Sequence, residues 1–201
     1  MERVTRRIAI IDGHPDPSAG RFGRALAQAY ADGAEAAGHE VRTILLSKLD
    51  FPLLQSASDW EGAPVPRALS DSQAKIAWAD HLVFFYPLWL GAMPALLKGF
   101  LEQTFRPGFA LKPGMRSLRS GLLTGKSARI VVTMGMPAFV YRWYFGAHSL
   151  KSFERNILRF VGIGPIRETL IGGVAGPDDG QDTVDRPHAR PRPGRIVTDA
   201  C

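Results

Sequence analysis

A chain of 201 residues with 45% hydrophobic and 22% charged residues is sized and composed for one globular domain with a sizeable core. Its single cysteine, Cys201, is the last residue, which excludes an internal disulfide or a thiolate metal site and suggests a reducing, cytoplasmic setting. The net charge of +6 comes from scattered basic residues without an aromatic-basic binding motif, so a solvated basic surface or an anionic cofactor explains it better than nucleic acid.

In chain order, MERVTRRIAI moves from charge straight into a strand, so no signal peptide is expected, and no apolar run is long enough to insert in a membrane. Arg7 to Asp12 reads as the first strand, followed by the turn-rich loop Gly13 to Gly20. A helix is expected from about Arg21 to Ala37, with Gly38 at its C-cap and Leu26, Ala29, Tyr30, Gly33 and Ala37 on its packing face. Val41 to Leu46 is the second strand. Ser47 to Arg67 has no clear period, carries three prolines and reads as a long surface connection suited to a partner.

After a helix over Ala68 to Ala79 comes the stretch around which the chain is organised, Leu82 to Phe105. Leu82 to Tyr86 is an uninterrupted apolar run, the pattern of a strand buried on both faces. It stops at Pro87, which has no N–H for a ladder. A tight loop then leads to a helix opened by Pro94, with Leu97, Phe100, Leu101 and Phe105 as a core-facing stripe and Lys98 and Glu102 paired on its surface.

Phe109 to Gly125 is an irregular crossover carrying Lys112, Arg116 and Arg119. Ser127 to Met134 is the fourth strand, leading into Gly135 and an aromatic-rich loop; Ser149 to Phe160 looks helical, and Ile166 to Ile171 is a short fifth strand. Alternating β and α units predict a doubly wound α/β fold with a five-stranded parallel sheet. Right-handed crossovers place the loops after strands one, three and four on one edge, where such folds bind ligands. The domain is expected over residues 1–174. Residues 175–201, rich in Pro, Arg and Asp, read as a disordered tail, so the closing C-terminal helix is missing and part of the sheet face is open unless a partner covers it.

The first loop lacks GxGxxG, which excludes that dinucleotide fingerprint, but offers hydroxyl, histidine and backbone donors ahead of a helix N-terminus, an anion site. The alternative is a proline-stiffened loop with His14 merely exposed. Trp89 beside exposed backbone N–H groups suits a flat aromatic ligand, or plugs the sheet edge.

Taken together, three segments resemble the flavodoxin-like NAD(P)H:quinone oxidoreductase family. They are Gly13-His14-Pro15 with Phe22, the run FYPLWLGAMPALLKGFLEQTFRPGFA, and Thr133-Met134-Gly135 followed by Tyr141 and Gly146-Ala147-His148; the similarity spans Arg7 to Gly173. The resemblance implies a bound flavin, FAD or FMN, and hydride transfer from NAD(P)H to a quinone or similar acceptor. It implies that His14, Ser18, Arg21 and Phe22 hold the flavin phosphate and ribityl. Pro87, Leu88, Trp89 and Leu90 would line the isoalloxazine through backbone contacts, Thr133 and Gly135 its polar side, while Tyr141 and His148 stabilise charge during transfer. It also implies a homodimer with the site at the two-fold interface.

The chain departs from the family pattern at Leu90-Gly91, where an aromatic pair is usual, at Met136 in place of a second glycine, and by one residue between Tyr141 and His148. Tyr141 as a packing residue and His148 as a helix cap are the structural alternatives. A second functional reading is an accessory flavin-binding subunit that docks on a membrane transporter through Ser47–Arg67 and the aromatic loop.

Overall fold

The structure is a computed structural model that describes residues 5–18, 20–114, 121–174 and, as backbone, 196–198. Five parallel strands build the sheet: β1 (Arg7–Asp12), β2 (Glu40–Leu45), β3 (His81–Pro87), β4 (Ser127–Thr133) and β5 (Ile166–Ile171). A short β6 (Ile196–Thr198) adds to β5 in the antiparallel sense, giving the order β2-β1-β3-β4-β5-β6. Thus three residues of the expected tail carry an edge strand; the rest of 175–201, like Arg116 and Arg119 of the crossover, lies outside the described residues. Among the described residues no helix follows β5.

Strand β3 sits at the centre of the parallel set because both its faces are apolar. Leu82, Phe84 and Tyr86 point into the larger core with Phe100, Leu101 and Phe153, and Phe84 meets Phe153 edge-to-face at 5.1 Å. Val83 and Phe85 point the other way, onto α1 (Phe22–Ala36). Helix α1 buries Ala27, Ala31 and Ala34, with Leu26 and Tyr30 at the margin. The packing face therefore differs from the sequence expectation: Ala29, Gly33 and Ala37 are on the exposed side, and the neighbouring stripe of Ala27, Ala31 and Ala34 lies against the sheet.

On the opposite face lie α3 (Arg67–Trp78), α4 (Ala95–Thr104) and α5 (His148–Ser152), the last continuing in wider π form over Phe153–Leu158. The long connection after β2 is more ordered than its composition suggests. It holds a 3-10 turn at Leu46–Lys48 and the helix α2 (Ala57–Gly62), capped by the Ser56 hydroxyl accepting from the Asp59 N–H. Arg106, buried after α4, donates to the carbonyls of Asp59, Trp60 and Pro64 and pins this segment to the domain. Together with Gln103 donating to the Pro52 carbonyl at 2.7 Å, that supplies the order that local periodicity does not.

Candidate functional site

Parallel strands end on one edge, so the carboxyl ends of β1, β3 and β4 bring three loops together. At the first, Gly13 donates its N–H to the Phe85 carbonyl at 2.7 Å. A Cβ here would lie 2.9 Å from Leu97 and 3.1 Å from the Phe85 oxygen, so glycine is what allows β1, β3 and α4 to close up beneath the site.

Asp12 is buried and uses both oxygens: Oδ1 accepts from the His14 N–H at 3.1 Å and Oδ2 from Arg24 Nε at 2.9 Å. His14 Nδ1 accepts from the Asp16 N–H at 3.1 Å, which leaves the proton of the neutral ring on Nε2. Burial holds the His14 imidazole below its ordinary pKa, an effect that nearby Arg21 and Arg24 reinforce and Asp12 and Asp16 oppose. Asp16 in turn accepts from the Ser18 hydroxyl at 2.6 Å, the Ser18 N–H at 2.8 Å and Arg21 Nε at 2.8 Å, and these bonds hold its carboxyl well below the usual range. Arg21 stands at the N-cap of α1, where no side chain caps the helix and no acidic residue fills the first turn. The two carboxylates and two guanidiniums of this loop balance, so attraction for an anion comes from the helix N-terminus rather than from excess cation.

The second loop is a two-residue hairpin. Trp89 and Ala92 exchange backbone hydrogen bonds at 2.9 Å, and Leu90 (φ 48°) and Gly91 (φ 76°) both take left-handed backbone, the pairing that a type I′ turn requires. The Leu88 N–H donates to the Thr133 carbonyl at 2.7 Å, which ties the second loop to the third. At the tip of this hairpin the amides of Leu90 and Gly91 make none of the backbone hydrogen bonds found among the described residues. The side chain of Leu90 is fully exposed at the tip. Trp89 is half exposed and stands edge-on to His14, with ring centroids 5.8 Å apart.

In the third loop Thr133 is buried and Gly135 is exposed. Tyr141 lies inside the larger core, and its hydroxyl shares a 2.7 Å hydrogen bond with Ser149. His148 opens α5 on the exposed side, its ring lying over Gly146, where a Cβ would be 2.8 Å from Nε2. Between them the turn Val140–Tyr144 is of π type, and Phe139, Trp143, Tyr144 and Phe145 are exposed.

The structure thus brings His14 to Trp89, Ser18 to Arg21 through Asp16, and Leu88 to Thr133. It sets Tyr141 in the core beside Ser149 rather than with His148, and leaves Phe22 exposed at the start of α1. Asp12, Asp16, Arg24 and Ser149 belong to the same networks and carried no sequence signal, since the fold rather than a recurring spacing brings Asp12 to Arg24, Asp16 to Arg21 and Ser149 to Tyr141. Among the described residues no group of three or more His, Cys, Asp or Glu could hold a metal. The edge does fit a flat heteroaromatic ring carrying a phosphate: it has the half-exposed indole of Trp89, the phenyl of Phe22, spare amides on the hairpin and an uncapped helix N-terminus. A cavity of about 600 Å³ lies between the later part of the third loop, α5 and β5, lined by Arg142, Trp143, Lys151 and Glu168. An edge site between loops does not depend on it.

Comparison with known proteins agrees with the fold. The model of a family described as having the flavodoxin-like fold matches residues 6–190. The ribosyldihydronicotinamide dehydrogenase-like protein traD of Penicillium crustosum is 31% identical over 155 residues, 64% of this chain, and the chain spans only 57% of that relative's length. An uncharacterized NAD(P)H oxidoreductase of Haemophilus influenzae is 29% identical over 174 residues, 85% of each protein. Among solved structures, an NAD(P)H:quinone oxidoreductase from Methanothermobacter marburgensis superposes with a TM-score of 0.71 at 25% identity, covering 90% of this chain and 92% of its own.

Proposed function

This chain belongs to the flavodoxin-like fold family, and on that premise we propose that it is a flavin-dependent NAD(P)H:quinone oxidoreductase. The observation that carries the proposal is the convergence of three loops at one sheet edge, joined by the Trp89–His14 contact and the Leu88–Thr133 hydrogen bond. When bound, FMN or FAD supplies the hydride chemistry between NAD(P)H and the acceptor, and the protein supplies position and electrostatics.

In this reading the N-terminus of α1 with Arg21, Ser18 and His14 receives the phosphate end, and Phe22 borders the ribityl. Pro87, Leu88 and Trp89 form the wall beside the ring, and the amides of Leu90 and Gly91 donate to it. Thr133 and Gly135 face its polar side. His148, the exposed member of the third loop, donates a hydrogen bond where negative charge develops, and Tyr141, whose hydroxyl meets Ser149 at 2.7 Å, positions the segment that carries it. The exposed aromatics Phe139, Trp143, Tyr144 and Phe145 are too apolar to remain in water and form the contact of a homodimer, which sedimentation at micromolar concentration tests. The site of action is the cytoplasm.

Reconstitution with FMN or FAD tests the central point. The protein is expected to take up one flavin per chain, quench its fluorescence and oxidise NAD(P)H with a benzoquinone as acceptor. A folded protein that takes up neither flavin would refute the proposal, and flavin uptake without turnover would favour the accessory, binding role.

A further inference from the structure

One side chain holds the loop between β1 and α1 from behind. The guanidinium of Arg24 has five N–H donors, and each has an acceptor. Nε donates to Asp12 Oδ2 at 2.9 Å, one terminal nitrogen to the carbonyls of Pro17 at 2.6 Å and Ser18 at 3.1 Å, and the other to the Asp16 carbonyl at 3.2 Å and the Ser47 hydroxyl at 3.0 Å. The end of β1, three successive loop residues, the first turn of α1 and the segment after β2 therefore meet on one cation. With every donor spent, Arg24 has none left for a ligand.

Three successive carbonyls turned to one point match neither a helix nor a strand. Left to turn outward, those oxygens would repel a phosphate. Drawn onto Arg24 they are kept off the rim that faces the helix N-terminus, because a planar peptide directs its C=O and N–H oppositely. Asp12 links the same staple to the site: the oxygen not used by Arg24 accepts the His14 N–H, and His14 stands against Trp89.

We propose that Arg24 is a positioning residue that shapes the β1–α1 loop to receive the phosphate of the flavin without touching it. The inference rests on the flavin reading above. Arginine is required because a lysine, a point charge with three donors, cannot span five acceptors spread over three segments of the chain.

The test compares FMN with riboflavin, which lacks the phosphate, on purified full-length protein. In Arg24→Lys the FMN dissociation constant is expected to rise about ten- to a hundredfold, the scale of one charge-assisted hydrogen bond no longer organising the site, while that of riboflavin changes by less than about threefold. Because Arg24→Lys can leave Asp12 badly paired in the interior, the double variant Asp12→Asn/Arg24→Gln removes the buried charge together with the staple, and the same selective loss of FMN is expected. An equal loss of both flavins, or no loss of either, overturns the proposal. Amide exchange in the flavin-free protein gives a second readout. Faster exchange at His14, Asp16 and Ser18 in Arg24→Lys, with β3 unchanged, supports the staple; unchanged exchange in the loop overturns it. A parent protein that binds neither flavin, yet shows the faster loop exchange in the variant, refutes the flavin reading and leaves the staple standing.

Discussion

Two glycines predict opposite outcomes for the same substitution. Gly172 follows β5, and a Cβ there would lie 2.2 Å from the Ala138 nitrogen, 2.6 Å from the Met136 oxygen and 2.9 Å from the Pro137 carbonyl carbon. All three are backbone atoms, so no rotamer change relieves the contact. The loop after β4 has to move away, which also breaks the hydrogen bonds from Gly173 to Met136 (3.2 Å) and from Val174 to Met134 (3.1 Å). Gly172→Ala is therefore placed at the upper end of overpacking costs, about 3 kcal/mol or more. For a domain of this size that lowers Tm by roughly 6–12 °C. Gly33, in the middle of α1, has nothing within 4 Å of a Cβ and helical backbone without positive φ, so Gly33→Ala is expected to stabilise by about 0.5–1 kcal/mol. Thermal and urea unfolding of both variants against the parent measures the pair, and flavin titration of Gly172→Ala reports the displaced loop. A Gly172→Ala protein as stable as the parent would refute the claim that backbone contact at this position shapes the third loop.

Three further outcomes follow from the same structure. Gly91→Val keeps open space around the new side chain but forces a β-branched residue to φ 76°, so it is expected to cost about 1–3 kcal/mol and to weaken flavin affinity, with an unchanged dissociation constant counting against the placement of the hairpin beside the ring. Tyr141→Phe and His148→Gln are expected to slow flavin reduction by NAD(P)H about ten- to a thousandfold with little change in flavin binding; reduction at the parent rate in stopped flow, with only Tyr141→Phe losing stability, would assign Tyr141 and Ser149 to packing alone. The His81 imidazole, bonded to Ser127 at 2.8 Å, is pushed down to about 4 by burial and by nearby Arg129 and Arg6, so the unfolded chain binds the proton more tightly. Stability then rises with pH between about 4 and 6.5 and levels off above, by roughly 1–2 kcal/mol once partial exposure is discounted from an unscreened value near 3. Urea midpoints at pH 4.5 and pH 7 should lie closer together in His81→Asn than in the parent, and an equal gap removes His81 as the cause.

Much of this protein is determined by the sequence on its own. The apolar run Leu82–Tyr86, the punctuation at Pro87 and Pro94 and the alternation of β-branched strands with helical stripes specify the parallel sheet, because short-range period and backbone restriction act on neighbouring residues. They also specify that the loops after β1, β3 and β4 share an edge, since right-handed crossovers leave no other arrangement. What only the tertiary structure decided lies in contacts between residues far apart, made to groups that every residue type possesses. Arg24 and Arg106 hold their loops through backbone carbonyls, which have no signature in the side-chain pattern. Gly33 and Gly172 look alike in sequence and differ because one faces solvent and the other a passing backbone. The face of α1 turned onto Ala27, Ala31 and Ala34 rather than Ala29, Gly33 and Ala37, a choice between two small-residue stripes that only contact with the sheet makes. Tyr141 entered the core because the π turn at Val140–Tyr144 rotates its side chain inward to Ser149, a change of helical pitch that spacing along the chain does not express.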